Sequence, residues 1–151
     1  MKNLLLLFSL IILSVSCEDV QDNSPALQAK VDNVLFQANY IRGEHHSSGN
    51  YFVLLGDLND EKITLKASYP PANELLEFGE NSSNYATFER ANGIVYTTQT
   101  EGGSGSMIFN NVDTSEQTIT GDFKFTAISQ SQDTIFVSGG IFYKANYIIV
   151  E

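Results

Sequence analysis

Glu44, His45 and His46 stand together before Ser47, Ser48 and Gly49, and histidines beside a carboxylate are the residue types that hold zinc. A zinc site needs three or four converging ligands, and adjacent histidines on a strand point to opposite faces. The chain has 2 histidines in all. The pair therefore reads as a solvated loop, with no metal site. Asp57, Asn59 and Glu61 present oxygens at alternate positions, as calcium loops do. The glycine and the later bidentate glutamate of such a loop are missing, so these residues read as hairpin turn chemistry. Ser104 lies between Gly103 and Gly105, but a nucleophile elbow needs G-x-S-x-G between a strand and a helix. A flexible loop is expected there, and no catalytic residue and no cofactor are assigned. A carboxylate-based glycosidase stays as an alternative, because acids that meet only in the fold are invisible in sequence. With 0 tryptophans, any sugar platform would rest on tyrosine and phenylalanine.

One position carries sharper chemistry. Cys17, the 1 cysteine of the chain, closes a leader in which Lys2 precedes the apolar run Leu4 to Leu13. That pattern is a secretory signal, with a run too short to span a bilayer, which takes about 20 helical residues. Leu13 and Ser16 before Cys17 resemble the lipobox of bacterial lipoproteins. The resemblance implies cleavage after residue 16, a diacylglycerol on the Cys17 sulfur, and attachment of the mature chain to a membrane. Two or three acyl chains make such an anchor durable, since each buried CH₂ adds about 0.8 kcal/mol. Glu18, Asp19 and Asp22 follow, and they resemble the acidic export signal of surface lipoproteins in the Bacteroidota. The expected location is the outer membrane, with the cell surface as the further possibility. Asp133-Thr134-Ile135 resembles the O-glycosylation signal of exported Bacteroidota proteins, which makes Thr134 a candidate modification site.

The chain's 151 residues suit a single domain. Its 18 acids against 8 bases give −10, and loss of residues 1–16 with Lys2 leaves 18 against 7, or −11. Such a surface lacks the basic footprint of a nucleic-acid binder. The expected divisions are a signal over 1–16, a lipidated acidic tether over 17–30, and a body over 31–151.

Period-2 alternation dominates that body, so it is expected to be all-β. Val34, Phe36, Ala38 and Tyr40 mark one face of a first strand, and Tyr51–Leu55 with Ile63–Ala67 mark a hairpin. Pro70 and Pro71 end the latter strand. Ala72–Gly79 is open between a helical turn and an irregular crossover. Tyr85–Glu89, Ile94–Gln99 and Met107–Val112 read as strands, with Asn92-Gly93 as a turn.

Residues 119–127 and 137–145 match in type at an 18-residue offset, including Gly121 with Gly139 and Phe123 with Ile141. A turn near Gln130–Gln132 makes paired numbers sum to about 262 and sets Gly121 against Ile141 and Gly139 against Phe123. Phe136 and Phe142 then lie opposite Phe123 and Tyr143, giving a hairpin apolar on both sides. Glycines inside strands mark bends or bulges, so the sheet is expected to coil on itself. The result is an antiparallel β-sandwich or flattened barrel of about 8–9 strands.

Lipobox, opening strand, Gly121-x-Phe-x-Phe and Val137-Ser-Gly-x-Ile-Phe together look like the small all-β lipoproteins of unknown function in the Bacteroidota. The resemblance assigns no activity. The leading functional expectation is a non-catalytic binding or structural module of the envelope, with other envelope proteins or glycans as partners. An apolar-ligand carrier is the alternative, its interior lined by Phe36, Phe52, Phe123, Phe125 and Tyr143.

Overall fold

Short polar turns cut the described residues into eleven strands. Two of them are two-residue hairpin turns made without glycine: Asp32-Asn33 (φ 48° and 68°) and Asn59-Asp60 (φ 47° and 68°). Asn and Asp tolerate the left-handed region because their short side chains bond locally, and two consecutive positive φ values match the twist of the flanking strands. The computed structural model describes residues 26–69 and 72–151. The signal segment, Cys17, the acids Glu18, Asp19 and Asp22, and Pro70-Pro71 lie outside the described residues.

The strands are β1 (Ala26–Val31), β2 (Val34–Gln37), β3 (Tyr40–His46), β4 (Tyr51–Leu58), β5 (Glu61–Ser68) and β6 (Leu75–Gly79). They continue as β7 (Tyr85–Glu89), β8 (Val95–Thr97), β9 (Ser104–Asp113), β10 (Thr118–Ser129) and β11 (Thr134–Val150). The fold is all-β, as expected, with eleven strands where about eight or nine were anticipated. They form one sheet ordered β2-β1-β11-β3-β4-β5-β7-β8-β10-β9-β6, and β10 also pairs with β11. That last pairing closes a ring of seven strands, from β11 through β3, β4, β5, β7 and β8 to β10. The sheet is mixed rather than wholly antiparallel, because β11 runs parallel to β3.

The extra strands have simple causes. Leu27, Ala29 and Val31 alternate inward on β1, so Ala26–Val31 is a strand, all but Val31 inside the stretch assigned to the tether. The strand anticipated from Val34 to Tyr40 is two: Phe36 is buried, while Val34 and Tyr40 are 70% and 58% exposed. Residues 75–79, left open above, form the edge strand β6, with Leu76 and Phe78 inward against β9.

The core is aromatic. Phe52 on β4 meets Phe109 on β9 at 5.5 Å, and Phe36 on β2 meets Phe88 on β7 edge-on at 6.2 Å. Neither pair consists of ladder neighbours, so these contacts show distant parts of the sheet folding over one another. Offset and edge-on rings of this kind add about 0.5–1.5 kcal/mol per pair beyond the area they bury.

The β10–β11 hairpin corrects the expected register in steps. Near its turn Ile128 faces Thr134 and Thr126 faces Phe136, so the numbers sum to 262 as anticipated. An irregularity between Phe123 and Phe125 raises the sum to 263, and another between Ile119 and Gly121 raises it to 264. Gly121 therefore faces Phe142 rather than Ile141, and Phe123 faces Gly140 rather than Gly139. Each bulge adds a residue to β11 and swaps which parity points inward. The buried set runs Ile135, Val137, then Gly140, Phe142, then Ala145, Tyr147. Phe142 is consequently a core residue stacked on Phe123 at 6.4 Å, whereas Phe136 is 60% exposed. Glycine is required at position 121, where a Cβ would collide with the Ile108 carbonyl and the Phe142 ring.

Candidate functional site

His45 and His46 both belong to β3, not to a loop, and they point to opposite sides. The His45 ring packs against Phe52 at 4.9 Å and Tyr69 at 4.5 Å, with Tyr147 edge-on at 6.3 Å. Its buried Nε2 has no hydrogen-bond partner among the described residues. Burial, and then the neighbouring His46, push its pKa below the ordinary 6.5. Burial also raises the Tyr147 phenol, with Tyr69 and Asp113 adding to the effect.

On the other side, His46 stacks on Tyr51 at 4.6 Å, and its Nε2 lies 2.9 Å from Glu44 Oε2. Glu44 also holds Arg42 at 2.5 Å, and Lys66 sits 4.3 Å over the Tyr51 ring. These side chains satisfy one another across β3, β4 and β5. Among the described residues no three His, Cys, Asp or Glu converge as metal ligands would.

The other sequence candidates are dispersed. Asp57 lies on β4 with its carbonyl accepting from the Asn39 amide at 2.8 Å, and Asn59 makes the hairpin turn, in line with the turn reading of Asp57, Asn59 and Glu61. Ser104 and Gly105 are strand residues of β9 paired to Thr126 and Phe125, so of the flexible loop anticipated at 103–105 Gly103 alone lies outside the sheet. Of the rings assigned to a carrier interior, Phe36, Phe52, Phe123 and Phe125 are buried and packed, while Tyr143 is only half-buried.

Thr134 opens β11 and is exposed, with Ile135 beside it buried to 1%. The tip before it is tightly bonded. Ser129 N–H donates to the Asp133 carbonyl at 2.9 Å, Gln132 N–H to the Ser129 carbonyl at 3.0 Å, and the Ser131 hydroxyl to Asp133 Oδ2 at 2.8 Å. Such a tip presents Thr134 at a fixed place.

Four turns share that end of the molecule: 32–33, 59–60, 91–94 and 130–133. Asp32 ties three of them, since its Oδ1 accepts from the Phe136 amide at 2.9 Å and its Oδ2 lies 3.4 Å from Arg90. Val34, Leu35, Ile94, Val95 and Phe136 are all large, apolar and exposed there. Ile94 and Val95 line a groove of about 490 Å³ with Ile128, Gln130 and Ser131. Val34 and Leu35 line another of about 130 Å³ with Glu61 and Arg90. The sequence signal for this end was its turn residues, whereas the apolar side chains around them looked like strand interior.

The fold and these surfaces define a small all-β domain whose aromatic interior is packed and whose grooves lie on its outside. Residues 23–146 match the family model described as a domain of unknown function, DUF6252, and the chain belongs to that family. No curated protein and no solved structure matches it.

Proposed function

We propose that the chain is a lipid-anchored envelope protein, held through Cys17, whose all-β body is a non-catalytic binding or structural module. The observation that carries this is the 1 cysteine, placed directly behind an apolar leader and separated from the first strand by residues 18–25 alone. Eight extended residues reach at most about 29 Å, so the body stays close to the bilayer.

The strand layout supports one orientation for a body so anchored. Ala26 pairs with Tyr143, while Thr134 lies nine positions earlier on β11, a run of roughly 30 Å at about 3.3 Å per residue. The chain enters at one end and the four-turn end lies at the other, facing away from the membrane. Exposed apolar side chains gathered on a surface are a usual mark of an interaction site.

The test is metabolic labelling with palmitate together with fractionation. Wild type incorporates label and sediments with membranes, whereas Cys17→Ala loses the label and becomes soluble. An unlabelled wild type, or an alanine variant that stays membrane-bound, ends the proposal. Mass spectrometry of the peptide carrying Thr134 reads the second site, with an added glycan mass as the expected result.

A further inference from the structure

Seven basic side chains fall among the described residues, and five have partners. Arg42, Lys62 and Arg90 pair with carboxylates, Lys66 lies over Tyr51 and Tyr85, and Lys144 lies over Tyr143. Among the described residues, Lys30 and Lys124 have neither a carboxylate nor a ring beside them.

The two unpartnered lysines stand on the same outer face of the sheet, in one row. Lys30 on β1 is paired with Ser138 on β11. On the far side of β11, Phe125 faces Val137 and Phe123 faces Gly140, which brings Lys124 against the Ser138–Gly139 bulge. Beyond it, Lys124 pairs with Ser106 on β9. The row is therefore Lys30, Ser138, Lys124, Ser106. Two strand spacings put the lysine Cα atoms about 10 Å apart, within reach of a single anion held above the Ser138 hydroxyl. Neither serine hydroxyl has a hydrogen-bond partner among the described residues.

The surroundings are apolar. Lys124 borders two adjoining grooves, one of about 450 Å³ with Leu75, Ile108 and Ile141, the other of about 270 Å³ with Phe136. Gly139 leaves the space between them open, since a Cβ there would meet nothing within 4 Å, and a side chain at that position would also need φ +57°. Two acids share the face. Asp122 accepts a hydrogen bond from the Asn110 amide at 2.5 Å, and Glu77 lies across Ser106 on the edge strand.

We propose that this row binds an anionic amphiphile, with its phosphate head on Lys30, Ser138, Lys124 and Ser106 and its alkyl chain in the trough between Ile141 and Phe136. Charge complementarity selects the sign of the head, since among the described residues these two cations lack a carboxylate or ring partner, in a chain of net charge −10. Exposed ion pairs are individually weak, so two ammonium groups do not retain a bare anion, and the apolar walls must supply the rest. A phosphate uses more of the four donors than a carboxylate can.

The experiment titrates the ¹⁵N-labelled full chain with dodecyl phosphate below its micelle concentration, with inorganic phosphate and dodecyltrimethylammonium as comparisons. Dodecyl phosphate is expected to saturate, with amide shifts centred on residues 30, 106, 124, 136 and 138. The Lys30→Gln/Lys124→Gln double variant should bind at least tenfold more weakly, and Phe136→Ala about fivefold more weakly, both with an unchanged circular dichroism spectrum. Undiminished affinity in the double variant, equal binding of inorganic phosphate or the cationic analogue, or shifts centred elsewhere would overturn the assignment.

Discussion

His45 is a residue whose chemistry is altered by its surroundings. Three aromatic rings pack around it, and its buried Nε2 finds no acceptor or donor among the described residues. The neutral ring fits such a place, and the cation does not. Because the folded pKa lies below the unfolded 6.5, the unfolded chain takes up the proton first as pH falls. Stability should therefore hold above about pH 6.5 and decline as pH drops toward the lowered folded value. Urea unfolding midpoints measured from pH 7.5 to 5 should fall more steeply for wild type than for His45→Phe, which keeps the ring stack and removes the titration. Equal slopes would mean that this imidazole is not the group responsible. Adjacency in the sequence disclosed that the two histidines face opposite ways. The rings around His45 come from β4, β11 and the end of β5, and only the fold brings them together.

At the scale of elements, β11 explains most of what the sequence hid. Its inward side changes parity twice, near Gly139 and near Lys144, and both residues have positive φ, 57° and 45°. Lysine in that region carries a steric cost that glycine lacks, and a β-branched residue carries more. Lys144→Gly should leave the thermal midpoint unchanged or raise it, while Lys144→Val should lower stability by about 1–2 kcal/mol. If valine were tolerated as well as glycine, the bulge would not be a conformational requirement. Strict period-2 reading assumes an unbroken pleat, so it followed the hairpin near its turn and failed beyond the first bulge. Strand β7 was legible to the residue because it is short, regular and bounded by polar turns. Strand β1 was missed although Leu27, Ala29 and Val31 alternate cleanly, because the polar residues before them extended the tether reading too far. The edge strand β6, next to two prolines, offered too few residues to separate a strand from a crossover.

For the whole molecule, ring closure rests on few bonds. Residues 147–150 alone pair β11 with β3, and Tyr147, 5% exposed, packs edge-on against Phe52 at 5.0 Å. A chain ending at Asn146 loses that seam and the aromatic ring at its base. Removal of a buried aromatic costs about 3–5 kcal/mol, a large share of a small domain's stability. The truncated chain should melt at least 10 °C lower or without a sharp transition, as read by near-ultraviolet circular dichroism. A transition as sharp and as high as wild type would show that the ring closes without it. The same seam also governs timing. Because β11 contributes neighbours to β1, β3 and β10 and follows the other ten strands in chain order, the ring cannot be sealed before β11 has paired. One element thus acts as the latch of the whole circuit, and a substitution that loosens it is felt at three seams at once.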